Sequence, residues 1–157
     1  MKLGALALGA STLVREVARH VLRRPVVGVA AAAHTDDDRW LLVRRADSGE
    51  WALPGGTLEW GETLERGVLR ELAEEASVDE VALGRLVGAY SRPDRDPRFH
   101  AVTIVVEASI APPRRPPSNP VEILEARLFA RNELPRSLSH GMTIMLEDAL
   151  SGTTRFE

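Results

Sequence analysis

The chain contains no cysteine, which excludes disulfides, thiolate metal sites and a cysteine nucleophile together and leaves redox state silent on compartment. Aromatic residues are only 4% of the total, and the arginines are scattered as pairs (Arg23-Arg24, Arg44-Arg45, Arg114-Arg115) in a chain of net charge −3. No basic stripe interleaved with aromatics exists, so a nucleic-acid surface is not expected. No run approaches the ~20 apolar residues that a membrane span needs, and no internal repeat is visible. What remains is 157 residues with 44% hydrophobic content, enough for one domain with a substantial core and too little for a second catalytic domain.

The most informative stretch runs from Trp51 to Val78. Thr63 to Ala76 lacks proline, is rich in Leu, Glu, Arg and Ala, and sets Leu64, Val68 and Leu72 at steps of four, predicting an amphipathic helix. At about 100° per residue, Glu71, Glu74 and Glu75 fall within roughly a third of the circumference, beside that apolar stripe. Like charges so close raise one another's pKa unless a cation sits among them. Carboxylate oxygens in this number suit Mg2+, which keeps several waters and takes further ligands from substrate phosphates. Gly67, one turn before Glu71, is expected to leave room for a bound phosphate, and Arg70 to fix a carboxylate rotamer. Upstream, Trp51-Ala52-Leu53-Pro54-Gly55-Gly56 predicts a short strand entering a tight glycine turn that brings backbone carbonyls near the helix. A Glu-rich helix face is ordinarily just solvated; the register of the glycines, Glu62 and Arg70 with it argues for a site.

Written as Gly56-x5-Glu62-x7-Arg70-Glu71-Leu72-x-Glu74-Glu75-x-Ser77-Val78, the segment resembles the box of the Nudix hydrolases. The resemblance extends from about Pro25 to Leu150. It implies an α/β/α sandwich with a mixed sheet and hydrolysis of a nucleoside diphosphate linked to another group, with Mg2+ or Mn2+ as cofactor. It further implies metal ligation by the Gly55 carbonyl and by Glu71, Glu74 and Glu75, with Glu62 and Arg70 completing the catalytic set. Ser77 departs from the pattern, which has glycine there. That glycine ends the helix in a left-handed conformation, costly for serine, so a weakened helix C-terminus is expected while the ligands are untouched.

Substrate choice has to come from outside the box. A proline some distance past the box marks relatives acting on ADP-ribose, and Pro93 stands at the corresponding place, in Tyr90-Ser91-Arg92-Pro93-Asp94-Arg95-Asp96-Pro97-Arg98-Phe99-His100. Arg92, Arg95 and Arg98 could pair with phosphates, Tyr90 or Phe99 stack on a base, and His100 hydrogen-bond a ribose; the plainer reading is a polar loop punctuated by prolines. The small-molecule substrate favoured is ADP-ribose, split to AMP and ribose 5-phosphate. A nucleoside triphosphatase or an RNA-end pyrophosphohydrolase would share every box residue, whereas a nucleotide sensor without catalysis fits poorly with intact carboxylates. Glu74, Glu75, Glu122 and Glu125 are the candidate general bases.

Around the box, strands are expected at Val26–Ala33 and Trp40–Arg44, joined as a hairpin by a turn at Asp36–Asp38, and at Ala101–Ala108 and Glu122–Ala130. Val81–Ser91 follows the helix, Ala111–Pro120 is a proline-rich connection, and Gly141–Leu150 a closing helix with His140 behind a Ser139 cap. Trp51 and Trp60 are expected to pack beside the glycine turn, and neither His34 nor His140 has metal-ligand spacing. Residues 1–24 predict a helical extension to the domain at 25–157, since Leu6, Leu13, Val17 and Val21 with Ala10 make an amphipathic face rather than a signal peptide. That face would cap its own domain or form a homodimer contact. With neither leader nor span expected, the protein is expected in the cytoplasm.

Overall fold

The computed structural model describes residues 24–157. The expected N-terminal helix, with its capping or dimer contact, lies outside the described residues. Among the described residues, eight strands and two helices follow one another as β1 (Val26–His34), β2 (Arg39–Arg45), β3 (Trp51–Ala52), β4 (Gly55–Thr57), α1 (Leu64–Ala76), β5 (Val81–Tyr90), β6 (Ala101–Ile110), β7 (Ile123–Ala130), α2 (Thr143–Ser151) and β8 (Arg155–Phe156). Among the described residues no helix is long and apolar enough to cross a membrane.

The sheet is mixed. Its strands run in the order β3-β2-β1-β6-β5-β8, with β4 added to β1 and β7 to β2. β1 pairs parallel with β6 along its whole length, while β5 and β6 are antiparallel. The expected β1–β2 hairpin is closed only at its tip, where His34 faces Trp40. Beyond that point the strands part, β1 to β6 and β4, β2 to β7 and β3. The gap between them opens the space that holds the site.

Alternation along β1 explains the layers. Val29, Ala31 and Ala33 point to one face and pack with Val68, Leu72 and Ala76 of α1; Ala30 and Ala32 point to the other, towards Met145, Leu146 and Ala149 of α2. A strand covered by a helix on both faces should read as an unbroken apolar run, and β1 does. The result is the α/β/α sandwich expected.

Helix α1 begins where threonine can cap it, with Thr63 Oγ1 accepting from Arg66 N at 3.3 Å. Its buried face differs from the Leu64–Val68–Leu72 stripe. Leu64 is exposed, and the buried positions are Gly67, Val68, Glu71, Leu72, Glu75 and Ala76. The helix ends at Ser77 with φ 53° and ψ 39°, the left-handed geometry that the box reserves for glycine. Its N–H reaches Ala73 O at 3.0 Å, and Val78 N reaches Leu72 O at 3.2 Å, so the last carbonyls are satisfied. Serine adds a bond glycine cannot make, Oγ donating to Pro116 O at 2.7 Å. Ser118 donates both N–H and Oγ to Glu74 O, so the proline-rich connection is tied across the helix end.

Candidate active site

A cavity of about 340 Å3 opens where β1, β4, α1 and the loop after β5 meet. One wall is acidic, built by Glu71 and Glu75 of α1 with Glu122 from the approach to β7; Gly55 and Gly56 of β4 lie beside them. The loop after β5 and the turn before α2 add Arg92, Arg95, Asp96, Arg98, Phe99 and His140 to the lining, a second wall of the cavity.

The two glycines are not in the turn expected of them. Neither has a positive φ; they pair with Ala30 and Val29 of β1 as strand residues. They are required by close approach instead. A Cβ on Gly55 would run into the carbonyl oxygen of Val29 and come within 2.7 Å of Ala30 Cα, and one on Gly56 would collide with the Glu71 carboxylate. Gly67 likewise leaves no space for a phosphate, since its missing side chain is replaced by Leu58 Cδ1 at 2.9 Å, with Glu62 Oε2 and Val29 close behind.

Glu71 and Glu75 are 8% and 7% exposed. Burial pushes the Glu75 carboxyl up to about 7, although Gly55 N–H donates to its Oε2 at 2.8 Å. Burial also raises Glu71, against the pull of Arg70. Arg70 is the hub behind this wall. It donates to both oxygens of Glu62 at 2.9 and 3.1 Å, to Glu71 at 2.8 Å, to Glu74 at 3.3 Å and to Thr57 O at 3.1 Å. The bonds from Arg70 hold the Glu62 carboxyl below its ordinary range. Glu62, Arg70 and Glu74 therefore stand behind the cavity, Glu74 largely in solvent, and only Glu71 and Glu75 of the expected trio line it.

Among the described residues no three His, Cys, Asp or Glu side chains are already gathered as a metal cage. The donor set nonetheless fits a hard divalent cation. Two buried carboxylates with raised pKa and a third at the rim present oxygens alone, and positive charge among them would offset the desolvation that raises them.

On the other wall every arginine already holds a carboxylate. Arg92 pairs with Asp94 at 2.8 Å in the open; Arg98 pairs with Asp96 at 2.8 Å and lies 5.1 Å from the Phe99 ring centre. Arg95 is the buried one. Its Nη2 donates to both Glu157 oxygens, at 2.7 and 2.6 Å, its Nη1 to Gly141 O at 3.3 Å, and it sits over the Tyr90 ring. Pro93 and His100 do not reach the cavity, and His100 Nε2 donates to Ser91 O at 2.8 Å. Tyr90, expected as a stacking platform, is wholly buried and donates to Asp148 at 2.9 Å, so only Phe99 of that pair faces the cavity.

Of the strand carboxylates, Glu122 faces the cavity whereas Glu125 is taken by Arg127 at 2.8 Å. Trp51 packs edge-on against Phe129, as expected; Trp60 does not pack and is fully exposed. His34 pairs with Glu107 and stacks by Trp40, away from the site. Two cavity residues had no sequence signal, Arg45 and His140. His140 is not helical as expected but sits in a 3-10 turn ahead of α2 with φ 53° and ψ 32°. A left-handed non-glycine residue before a glycine could have flagged it, but only backbone geometry reveals that conformation.

Comparison with known proteins agrees with this geometry. The NUDIX domain family model matches residues 23–148. Over 103 residues the chain is 38% identical to an ADP-ribose pyrophosphatase of Methanocaldococcus jannaschii, covering 64% of this chain; it spans 59% of the length of that relative. It superposes on a MutT NUDIX hydrolase from Burkholderia pseudomallei at 34% identity and TM-score 0.66, covering 80% of this chain and 98% of that one. It also superposes on an ADP-ribose pyrophosphatase from Streptococcus suis at 26% identity and TM-score 0.69, covering 85% and 100%.

Proposed function

This chain belongs to the Nudix family, and from that membership we propose that it hydrolyses a nucleoside diphosphate linked to a further group, ADP-ribose foremost, to AMP and ribose 5-phosphate. The observation that carries the reading is the pair Glu71 and Glu75, buried at a cavity with raised pKa. Structural ion pairs do not need such an arrangement; a site that accepts a divalent cation does. The names of the archaeal and streptococcal relatives support ADP-ribose as the first substrate to try.

Glu71 and Glu75, with the Gly55 carbonyl, are proposed to hold Mg2+ or Mn2+; Glu74, the third ligand expected, joins them only by turning in from solvent and leaving Arg70. The chemistry a divalent cation supplies in such a site is charge neutralisation on the diphosphate and activation of water. The remaining work falls to the chain. Arg70 fixes the carboxylates of Glu62 and Glu71, so little side-chain freedom is left to lose on binding. Gly55 N–H orients Glu75 into the cavity. Glu122 is the base we favour over Glu125, because it faces the cavity and no arginine claims it. Arg92, Arg95 and Arg98 line the substrate side; Pro93 and His100 shape the loop from outside.

The test is a panel of nucleoside diphosphate compounds and triphosphates incubated with Mg2+, Mn2+ or chelator, with products separated. AMP and a sugar phosphate support the reading; pyrophosphate and a monophosphate from triphosphates would replace it, and no cleavage would overturn it.

A further inference from the structure

At the end of α1 the chain departs from the box, and the departure adds a contact. Ser77 takes a left-handed geometry that glycine would hold without strain, and its Oγ donates to Pro116 O at 2.7 Å. A second serine answers from the other side. Ser118 donates its N–H at 3.2 Å and its Oγ at 2.7 Å to Glu74 O. That carbonyl belongs to the last turn of the helix, and the amide four residues on, Val78 N–H, goes to Leu72 O instead, so Ser118 is what satisfies it. The two serines clasp α1 to the connection between β6 and β7.

That connection has few other ways to hold itself. Five of the ten residues from Ala111 to Pro120 are proline, which has no N–H to donate. Arg114 and Arg115 reach Glu80 and Asp79, but in the open, where such pairs contribute little. Just past the clasp the backbone closes into a turn. Glu122 and Ile123 donate to Asn119 O at 3.2 and 3.0 Å, Val121 N–H donates to Asn119 Oδ1 at 3.2 Å, and Glu122 O accepts from Ala46 N at 2.8 Å. Glu122 thus rides on a turn fixed at one end by Ser118 and at the other by β7 and the end of β2. Among the described residues no side chain pairs with its carboxylate, so its place at the cavity is set by that backbone.

We propose that Ser77 and Ser118 are positioning residues for the reaction: their clasp sets Glu122 in register with Glu71 and Glu75, so that base and cation ligands from distant elements meet at one cavity. The inference rests on the function proposed above, with Glu122 as its base. Neither serine lines the cavity, so both act through Glu122. A base displaced by about 1 Å loses catalysis while the substrate still binds, which puts the signature in kcat rather than in KM.

The test combines steady-state kinetics on ADP-ribose with Mg2+ and backbone amide exchange in chelator, both on the full chain. Ser77→Gly suits the left-handed helix end, so that variant folds. Expected is a fall in kcat of about tenfold with Ser118→Ala and about threefold with Ser77→Gly, KM staying within about twofold, and recovery with Ser118→Thr, which keeps the hydroxyl. Glu122→Gln alone should lose at least about a hundredfold. Adding Ser118→Ala to it should cost nothing more, whereas a clasp that only supported the fold would lower kcat in both backgrounds. The amides of Glu122 and Ile123 should exchange faster in Ser118→Ala than in wild type. Wild-type kcat in both serine variants, an undiminished Ser118→Ala effect in the Glu122→Gln background, or unaltered exchange overturns the clasp and leaves the proposed function standing. Wild-type kcat in Glu122→Gln removes the base and the clasp together, and a wild-type chain that leaves ADP-ribose intact defeats the proposed function and the clasp with it.

Discussion

On the helix side of the cavity, Glu71 and Glu75 are almost wholly buried; Arg70 answers the first, and the Gly55 N–H with the charge of Arg45 the second, without offsetting the cost of burial. On the loop side, Arg92, Arg95 and Arg98 each hold a carboxylate supplied by the loop or by Glu157. The first wall stores unfavourable charge; the second has already neutralised its own. A wall of buried, under-compensated carboxylates trades stability for affinity towards a cation, since desolvation raises them and only positive charge relieves it. A self-paired wall trades affinity for selectivity, since a ligand must offer more than negative charge to be held there.

The largest effect should come from breaking the first wall. Glu75→Gln keeps the acceptor for Gly55 N–H but removes a charge, so metal-dependent turnover should fall at least about a hundredfold in steady-state assays. Stability should move the other way. The Glu75 pKa is raised from 4.5 to about 7 in the folded chain, so its stabilising contribution is complete below about 4.5 and is lost as pH rises through 7. In chelator at pH 8 the variant should be more stable than wild type by on the order of 2 kcal/mol, and near pH 4 the gap should close. Denaturant melts at the two pH values check this; a variant less stable at pH 8 would mean that Glu75 is not under strain.

Removing the hub comes next. Arg70→Ala leaves Glu62 and Glu71 without their shared guanidinium and should cost about tenfold to a hundredfold in kcat, with Arg70→Lys recovering little because an ammonium cannot span two carboxylates as a fork does. Wild-type kcat in either variant would show that the carboxylates are positioned without it.

The second wall should split into a buried and an exposed response. Arg95→Ala strips Glu157 and Tyr90 of their partner and should raise KM for ADP-ribose about tenfold while lowering stability by about 1–2 kcal/mol. Arg92→Ala breaks an exposed pair and should change KM less than about threefold with no shift in melting temperature. Equal responses from the two arginines would erase the distinction between them.

The smallest effect is at Ser77, where two terms oppose. Glycine would relieve the left-handed backbone by up to about 1 kcal/mol but lose the bond to Pro116 O, worth about 0.5–1.5 kcal/mol, so Ser77→Gly should be neutral within about 0.5 kcal/mol. Ser77→Ala keeps the backbone cost, loses the bond and should destabilise by about 1 kcal/mol. A clear gain from glycine would mean that the tie to the proline-rich connection is worth little.

Helix α1 and the grouping of Glu71 with Glu75 were readable along the chain, because they depend on residues within four positions of each other, and its left-handed end was readable through the resemblance of the box; that Thr63 caps the helix rather than joins it was not. β1, β2, β3, β6 and β7 were readable for the same reason; β5 is interrupted by Gly84 and Gly88 and did not declare itself, and β4 and β8 are too short to carry a period and exist only through pairing with β1 and β5. Which carboxylates would be buried was not readable. Leu64 and Glu71 exchanged the places that hydrophobicity assigns them, since α1 lies against β4 at the point where Gly56 makes room for an acid.

What the sequence by itself determined is therefore the resemblance to the family, carried by the spacing of its box, the sandwich of helices about a mixed sheet that this resemblance implies, and the grouping of acids along one helix. Only the tertiary structure decided that β1 and β2 part beyond their tip, that Gly55 and Gly56 serve close approach rather than a turn, that the arginines meet carboxylates before any ligand, and that His140 joins Arg95 at the cavity. Each of those depends on which atoms distant in the chain come within a few ångströms, and desolvation and hydrogen-bond satisfaction are set by those neighbours, which no local pattern records.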